Sequence, residues 1–103
     1  MKFDFVDKHL ASLYTKGTSK KHKFMTPALA RKFVERVNRI EAAASILDLR
    51  QPPSMKFEKL EGHENRFSIR LDQKHRLEFE IDFEDDPKTA GTVLIVAVSQ
   101  HYH

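Results

Sequence analysis

The chain has 103 residues, 40% of them hydrophobic and 32% charged, with no cysteine and no tryptophan. That length builds one hydrophobic core, so residues 1–103 are expected to form a single domain. The lack of cysteine excludes disulfides, thiolate zinc sites and cysteine nucleophiles. No apolar run approaches the ~18 residues of a membrane span, and the start lacks a basic-then-apolar leader, so a soluble cytoplasmic protein is expected.

The formal charge is +3 with neutral histidines, and the pI of about 9.3 leans toward polyanionic partners. Basic residues gather at Lys16, Lys20, Lys21, His22 and Lys23 and again from Lys56 to Arg76, whereas Glu78 to Asp86 is acidic. One basic side suits nucleic acid, and an acidic edge suits a basic protein partner.

Phe3 and Phe5 alternate with Lys2 and Asp4, the period of a short strand. Asp7 stands at an N-cap position, Leu10, Leu13 and Tyr14 follow at helical spacing, and Gly17 closes a first helix. After the polar connection Thr18 to Met25, Thr26-Pro27 reads as an N-cap with proline at the first helical position. Leu29, Phe33, Val37, Ile40, Ala44 and Leu47 then form one continuous apolar stripe, predicting a long helix that ends before Pro52-Pro53.

From Met55 the period becomes 2. Phe57 begins a strand, Gly62 to Asn65 is a turn, and Phe67, Ile69 and Leu71 alternate with Arg66, Ser68 and Arg70. After the turn Asp72-Gln73-Lys74, Leu77, Phe79, Ile81 and Phe83 alternate with Arg76, Glu78, Glu80 and Asp82. Thr92 to Val98 is apolar on both faces and reads as a central strand. The expected fold is α+β: a short N-terminal strand and two helices on one face of a curved, mostly antiparallel sheet of four to five strands.

The hairpin Arg66 to Phe83 has two registers open to it. A three-residue loop sets Arg70 opposite Arg76, which calls for an anion between them, and a five-residue loop makes Arg70 and Glu78 an ordinary ion pair. The closing His101-Tyr102-His103 also has competing readings. Two imidazoles and a phenol at the end of a stiff strand suit proton transfer, but the same residues suit a frayed terminus equally. No metal is expected, because His9, His22, His63 and His75 lie on separate elements without ligand spacing. The lysine-rich connection reads first as a solubilising loop, and gains weight as a phosphate contact only beside a nucleic-acid face.

Several stretches together resemble the HigB-type toxins of the RelE/ParE superfamily. They are Leu47 to Pro53, Leu60-Glu61-Gly62-His63, Phe67 to Leu71, Arg76, and the terminal His101-Tyr102-His103. The resemblance spans Phe3 to His103. It implies a RelE-like fold and the toxin of a type II toxin-antitoxin pair. It also implies a ribosome-dependent mRNA endonuclease that needs no metal or cofactor and inhibits translation. A HigA-like helix-turn-helix antitoxin would neutralise it and carry any contact with operator DNA, and no membrane is involved.

The implied catalytic set is Arg76, His101, Tyr102, His103 and Glu58. Arg76 would stabilise phosphate charge, Tyr102 stack on a base or orient the scissile nucleotide, and His103 act as acid or base. Lys59, His63, Arg66, Arg70 and Lys74 are the expected RNA contacts. Two positions depart from the family pattern: His101 stands where an aspartate is usual, and Glu58 where some members have histidine. The row Glu78, Glu80 and Asp82 is expected to lie away from the RNA path. Two other outcomes follow from the same resemblance, a ParE-like toxin acting on DNA gyrase and a catalytically weakened protein that mainly binds its antitoxin.

Overall fold

A computed structural model describes residues 1–100 of the chain. Its five-stranded sheet has the order β1-β5-β4-β3-β2, formed by β1 (Phe3–Phe5), β2 (Glu58–Lys59), β3 (Arg66–Arg70), β4 (His75–Phe83) and β5 (Gly91–Gln100). β1 joins β5 in parallel, and the other three pairings are antiparallel. The apolar sides of β3, β4 and β5 form one core with the helices α1 (Lys8–Lys16) and α2 (Pro27–Ala42). This is the expected α+β arrangement. β5 is an interior strand, although β4 takes the middle place.

The helix ends follow the sequence signals. Asp7 Oδ1 accepts from the backbone N–H groups of His9 and Leu10, both at 3.0 Å, and Gly17 at φ 76° returns its N–H to Leu13. Thr26 Oγ1 accepts from Leu29 N at 3.1 Å, with Pro27 filling the first position of α2. Leu29, Phe33, Val37 and Ile40 are buried along one face, as their spacing predicts.

The continuous helix to Leu47 is corrected. α2 stops at Ala42, Ala43 is extended, and a short α3 (Ile46–Leu49) starts afresh. Ser45 Oγ accepts from Leu47 N at 3.2 Å, and Asp48 Oδ2 accepts from Ala44 N at 2.8 Å. These local side-chain bonds offer the backbone an alternative to continued helix. The break shifts the phase, so Ala43, Ile46 and Leu49 face the core while Ala44 and Leu47 are exposed.

In the β3–β4 hairpin the three-residue turn prevails and Arg70 faces Arg76. Asp72 Oδ1 sets it, accepting from Lys74 N and His75 N at 2.8 Å each and lying 2.9 Å from His75 Nδ1. The β4–β5 ladder contains a bulge: Phe79 pairs with Ile95 but Glu78 with Ala97, which leaves Val96 as the extra residue. Its consequence is a change of partner for Arg76. A regular ladder continued from Phe79 and Ile95 would put Val98 opposite Arg76, whereas the bulge puts Ser99 there.

Two measurements test these local features. Ile46→Ala should cost about 2–5 kcal/mol in urea unfolding, and Leu47→Ala less than about 0.5 kcal/mol; equal losses would contradict the restarted helix. Partial burial pushes the Asp72 carboxyl up, but the bonds from Lys74 and His75 outweigh this and hold it below the ordinary value. Such a group stabilises the fold fully above its unfolded pKa, about 3.9, and loses that contribution as pH falls through its lower folded pKa. Asp72→Asn should therefore melt below the parent at about pH 6, with the gap closing from about pH 4 downward. A gap independent of pH would show that the carboxylate charge contributes nothing.

Candidate active site

The sheet face opposite the core carries Arg66, Ser68 and Arg70 from β3 and Arg76, Glu78 and Glu80 from β4. Arg76 is the side chain on which this face is organised. It is 8% exposed, and Ser68 beside it is fully buried. Arg76 Nε donates to Ser68 Oγ at 2.8 Å, and Nη2 donates to the Ser68 carbonyl at 3.3 Å and to the Lys56 carbonyl. Glu58 Oε2 lies 3.8 Å from the same nitrogen. Nη1 is thus the terminal nitrogen without a partner among the described residues.

The local sequence explains each of these partners. Pro53–Met55 forms a 3-10 turn with Met55 buried, and Lys56 follows it at φ 51°, ψ 49°. A left-handed conformation costs a non-glycine residue about 1 kcal/mol or more. Here it directs the Lys56 carbonyl to Arg76. Glu58 pairs with Ser68 across β2 and β3, which sets its carboxylate on the arginine side of the sheet.

Burial draws the Arg76 guanidinium down from its ordinary range; Glu58 and Glu78 oppose this, and Arg70 adds to it. An arginine so placed stays charged, since even a lowered guanidinium pKa lies well above neutrality. Arg70 is directly across the ladder and turns its Nε to the Asp72 carbonyl at 3.2 Å. Two cations held face to face, one of them poorly hydrated, make a site for an anion with several oxygens.

The structure brings together Arg76, Arg70 and Glu58. It does not bring all the expected RNA contacts to them. Arg66 is engaged with Glu80 at 2.9 Å and lies 3.8 Å from Glu78. His63 is exposed in the β2–β3 turn, and Lys74 in the β3–β4 turn. Lys59 lines a different cleft of about 460 Å³, with Arg50, Phe57, Phe67, Phe83 and Lys88. The acidic row is also less remote than expected. Glu78 and Glu80 share the face of Arg76, and Arg66 pairs with both. His101, Tyr102 and His103 lie outside the described residues.

Sequence reasoning missed the parts that hold Arg76. Ser68 is the one small residue in the row Arg66, Ser68, Arg70, and that was the available signal. The Lys56 carbonyl and the register that selects Ser99 leave no side-chain signature.

Comparisons with known proteins agree with this architecture. Residues 3–91 match the family model described as the RelE-like toxin of type II toxin-antitoxin system HigB. Toxin HigB-1 of Vibrio cholerae serotype O1 (strain ATCC 39315 / El Tor Inaba N16961) is 32% identical over 81 residues, covering 78% of this chain and 83% of that protein. A solved structure, the YoeB/ParE toxin from Agrobacterium tumefaciens, superposes with a TM-score of 0.53 over 99% of this chain and 100% of that one; at 18% identity it speaks for the fold alone. The chain belongs to the HigB-like family of RelE-like toxins of type II toxin-antitoxin systems.

Proposed function

We propose that this toxin is a metal-independent endoribonuclease that cuts mRNA on the ribosome, inhibits translation in the cytoplasm and is neutralised by a HigA-like antitoxin. The observation that carries the reading is the buried Arg76, fixed by Ser68 and Lys56 opposite a second arginine. Transesterification of RNA places extra negative charge on a phosphate whose position the enzyme must anticipate. A guanidinium already ordered and stripped of water stabilises that charge without reorganising during the reaction.

In the reaction the 2′-oxygen loses its proton to a base and bonds to phosphorus. The P–O5′ bond breaks, the 5′-oxygen takes a proton from an acid, and the products are a 2′,3′-cyclic phosphate and a 5′-hydroxyl. Arg76 holds the non-bridging oxygens, and Arg70 supplies a second positive charge. Glu58, half exposed and 3.8 Å from Arg76, is the carboxylate closest to hand for the 2′-hydroxyl. His103 serves as the acid, Tyr102 orients the scissile nucleotide, and His101 shares the acid–base work with Glu58.

Arg76→Ala should relieve growth arrest and lower single-turnover cleavage on ribosomes by about 10²–10³-fold with antitoxin binding retained. Arg76→Lys keeps the charge but loses the planar fork, so it should fall between the two. Because Arg76→Ala strips Ser68 and Lys56 of a donor, a thermal melt of both variants separates lost chemistry from lost folding. Cleavage at the parental rate by well-folded Arg76→Ala protein would contradict the reading.

A further inference from the structure

The loop between α1 and α2 is tied to the start of β4 by aromatic contacts. Phe24 stacks on His75 with ring centroids 5.5 Å apart and planes 4° from parallel. His22 meets the Phe24 ring in a T-shaped contact at 5.9 Å, and Ser19 Oγ lies 2.9 Å from His22 Nδ1. Below the stack, Asp72 fixes the His75 ring through Nδ1 at 2.9 Å. Phe24 therefore rests on a support that cannot easily turn. It nevertheless remains 39% exposed, in company only with Val6 and Leu47 among the described large hydrophobic residues.

Its place in the fold makes that exposure informative. His75 precedes Arg76 in β4 and pairs with Gln100, the last described residue of β5. Phe24 thus stands at the arginine pair's end of the sheet, on the helix-bearing face, because His75 shares the parity of the core residues Leu77 and Phe79. Lys20, Lys21 and Lys23 flank it in the chain, Lys74 flanks His75, and all four lysines are exposed. The one acidic residue in the stack, Asp72, is occupied by His75 and by backbone N–H groups.

We propose that Phe24 is a stacking platform for a nucleobase of single-stranded RNA, with Lys20, Lys21, Lys23 and Lys74 meeting the flanking phosphates. A flat ring supported from beneath, with exposed lysines close to it in the chain, matches the way proteins hold unpaired bases regardless of sequence. The inference rests on the RNA-cleaving reading for the identity of the strand. It adds a contact to that substrate outside the set Arg76, Arg70 and Glu58.

The chain has no tryptophan, so Phe24→Trp introduces a single indole reporter in the full-length toxin. A single-stranded oligoribonucleotide should quench it saturably, and the affinity should fall as salt rises. Phe24→Leu should weaken binding of the same oligonucleotide by about fivefold to a hundredfold. In ribosome-dependent cleavage it should raise KM while leaving kcat near the parent, and Phe24→Tyr should restore the parental KM. A role limited to anchoring the loop would move the melting temperature without any quenching by RNA.

The platform is overturned if RNA leaves the indole emission of the Phe24→Trp protein unchanged, if Phe24→Leu binds and cleaves as the parent does, or if only the antitoxin quenches the emission. Parental cleavage by Phe24→Leu alongside loss of cleavage by Arg76→Ala would remove the platform and leave the proposed function standing. Quenching by RNA without any ribosome-dependent cleavage would do the reverse.

Discussion

A guanidinium at 8% exposure is the constraint to which the functional face of this toxin answers. A charge removed from water is costly unless hydrogen bonds replace its hydration. Ser68 supplies both its hydroxyl and its carbonyl, and Lys56 supplies a second carbonyl. Each donor–acceptor pair fixes something else. Ser68 must be directly beside the arginine, so the hairpin must turn through three residues. Lys56 must aim its carbonyl inward, so the chain after the Pro53–Met55 turn must adopt a left-handed residue.

The charges around this arginine divide the outer face into two ends. Toward the Asp72 turn stand Arg70 and Arg76, with Ser99 next in the ladder. Toward the middle Arg66 pairs with Glu80 and approaches Glu78, which offsets the charge of these two carboxylates. Asp82 and the loop beyond it remain exposed. A polyanion approaching this face meets Arg70 and Arg76 at the Asp72-turn end, with the Glu58 carboxylate 3.8 Å from Arg76. That is the end where β5 reaches Gln100, which His101, Tyr102 and His103 follow in the chain.

Much of the frame was legible in the sequence because short-range chemistry specifies it. Asp7, Gly17 and Thr26-Pro27 mark helix ends through bonds within a few residues, and period-2 alternation from Phe67 to Phe83 marks two strands. Leu47 misled because its spacing fits a helical stripe, and only the competing bonds of Ser45 and Asp48 reset the phase. The hairpin register was open between two choices, since residues of one parity pair in either. The bulge at Val96 was hidden because Val93 to Val98 is apolar in every phase, so slipping by one residue leaves the pattern unchanged. The clamp on Arg76 depends on backbone carbonyls, which no side-chain pattern records.

The central claim is that the arginine pair serves an in-line attack by the RNA's own 2′-hydroxyl. Its most direct test is cleavage of ribosome-bound mRNA in which a single 2′-deoxy nucleotide replaces the one on the 5′ side of the mapped cut. Cleavage there should vanish, and the unmodified message should yield fragments with a 2′,3′-cyclic phosphate and a 5′-hydroxyl. Continued cleavage at the deoxy position, or arrest with intact mRNA and damaged DNA topology, would contradict it.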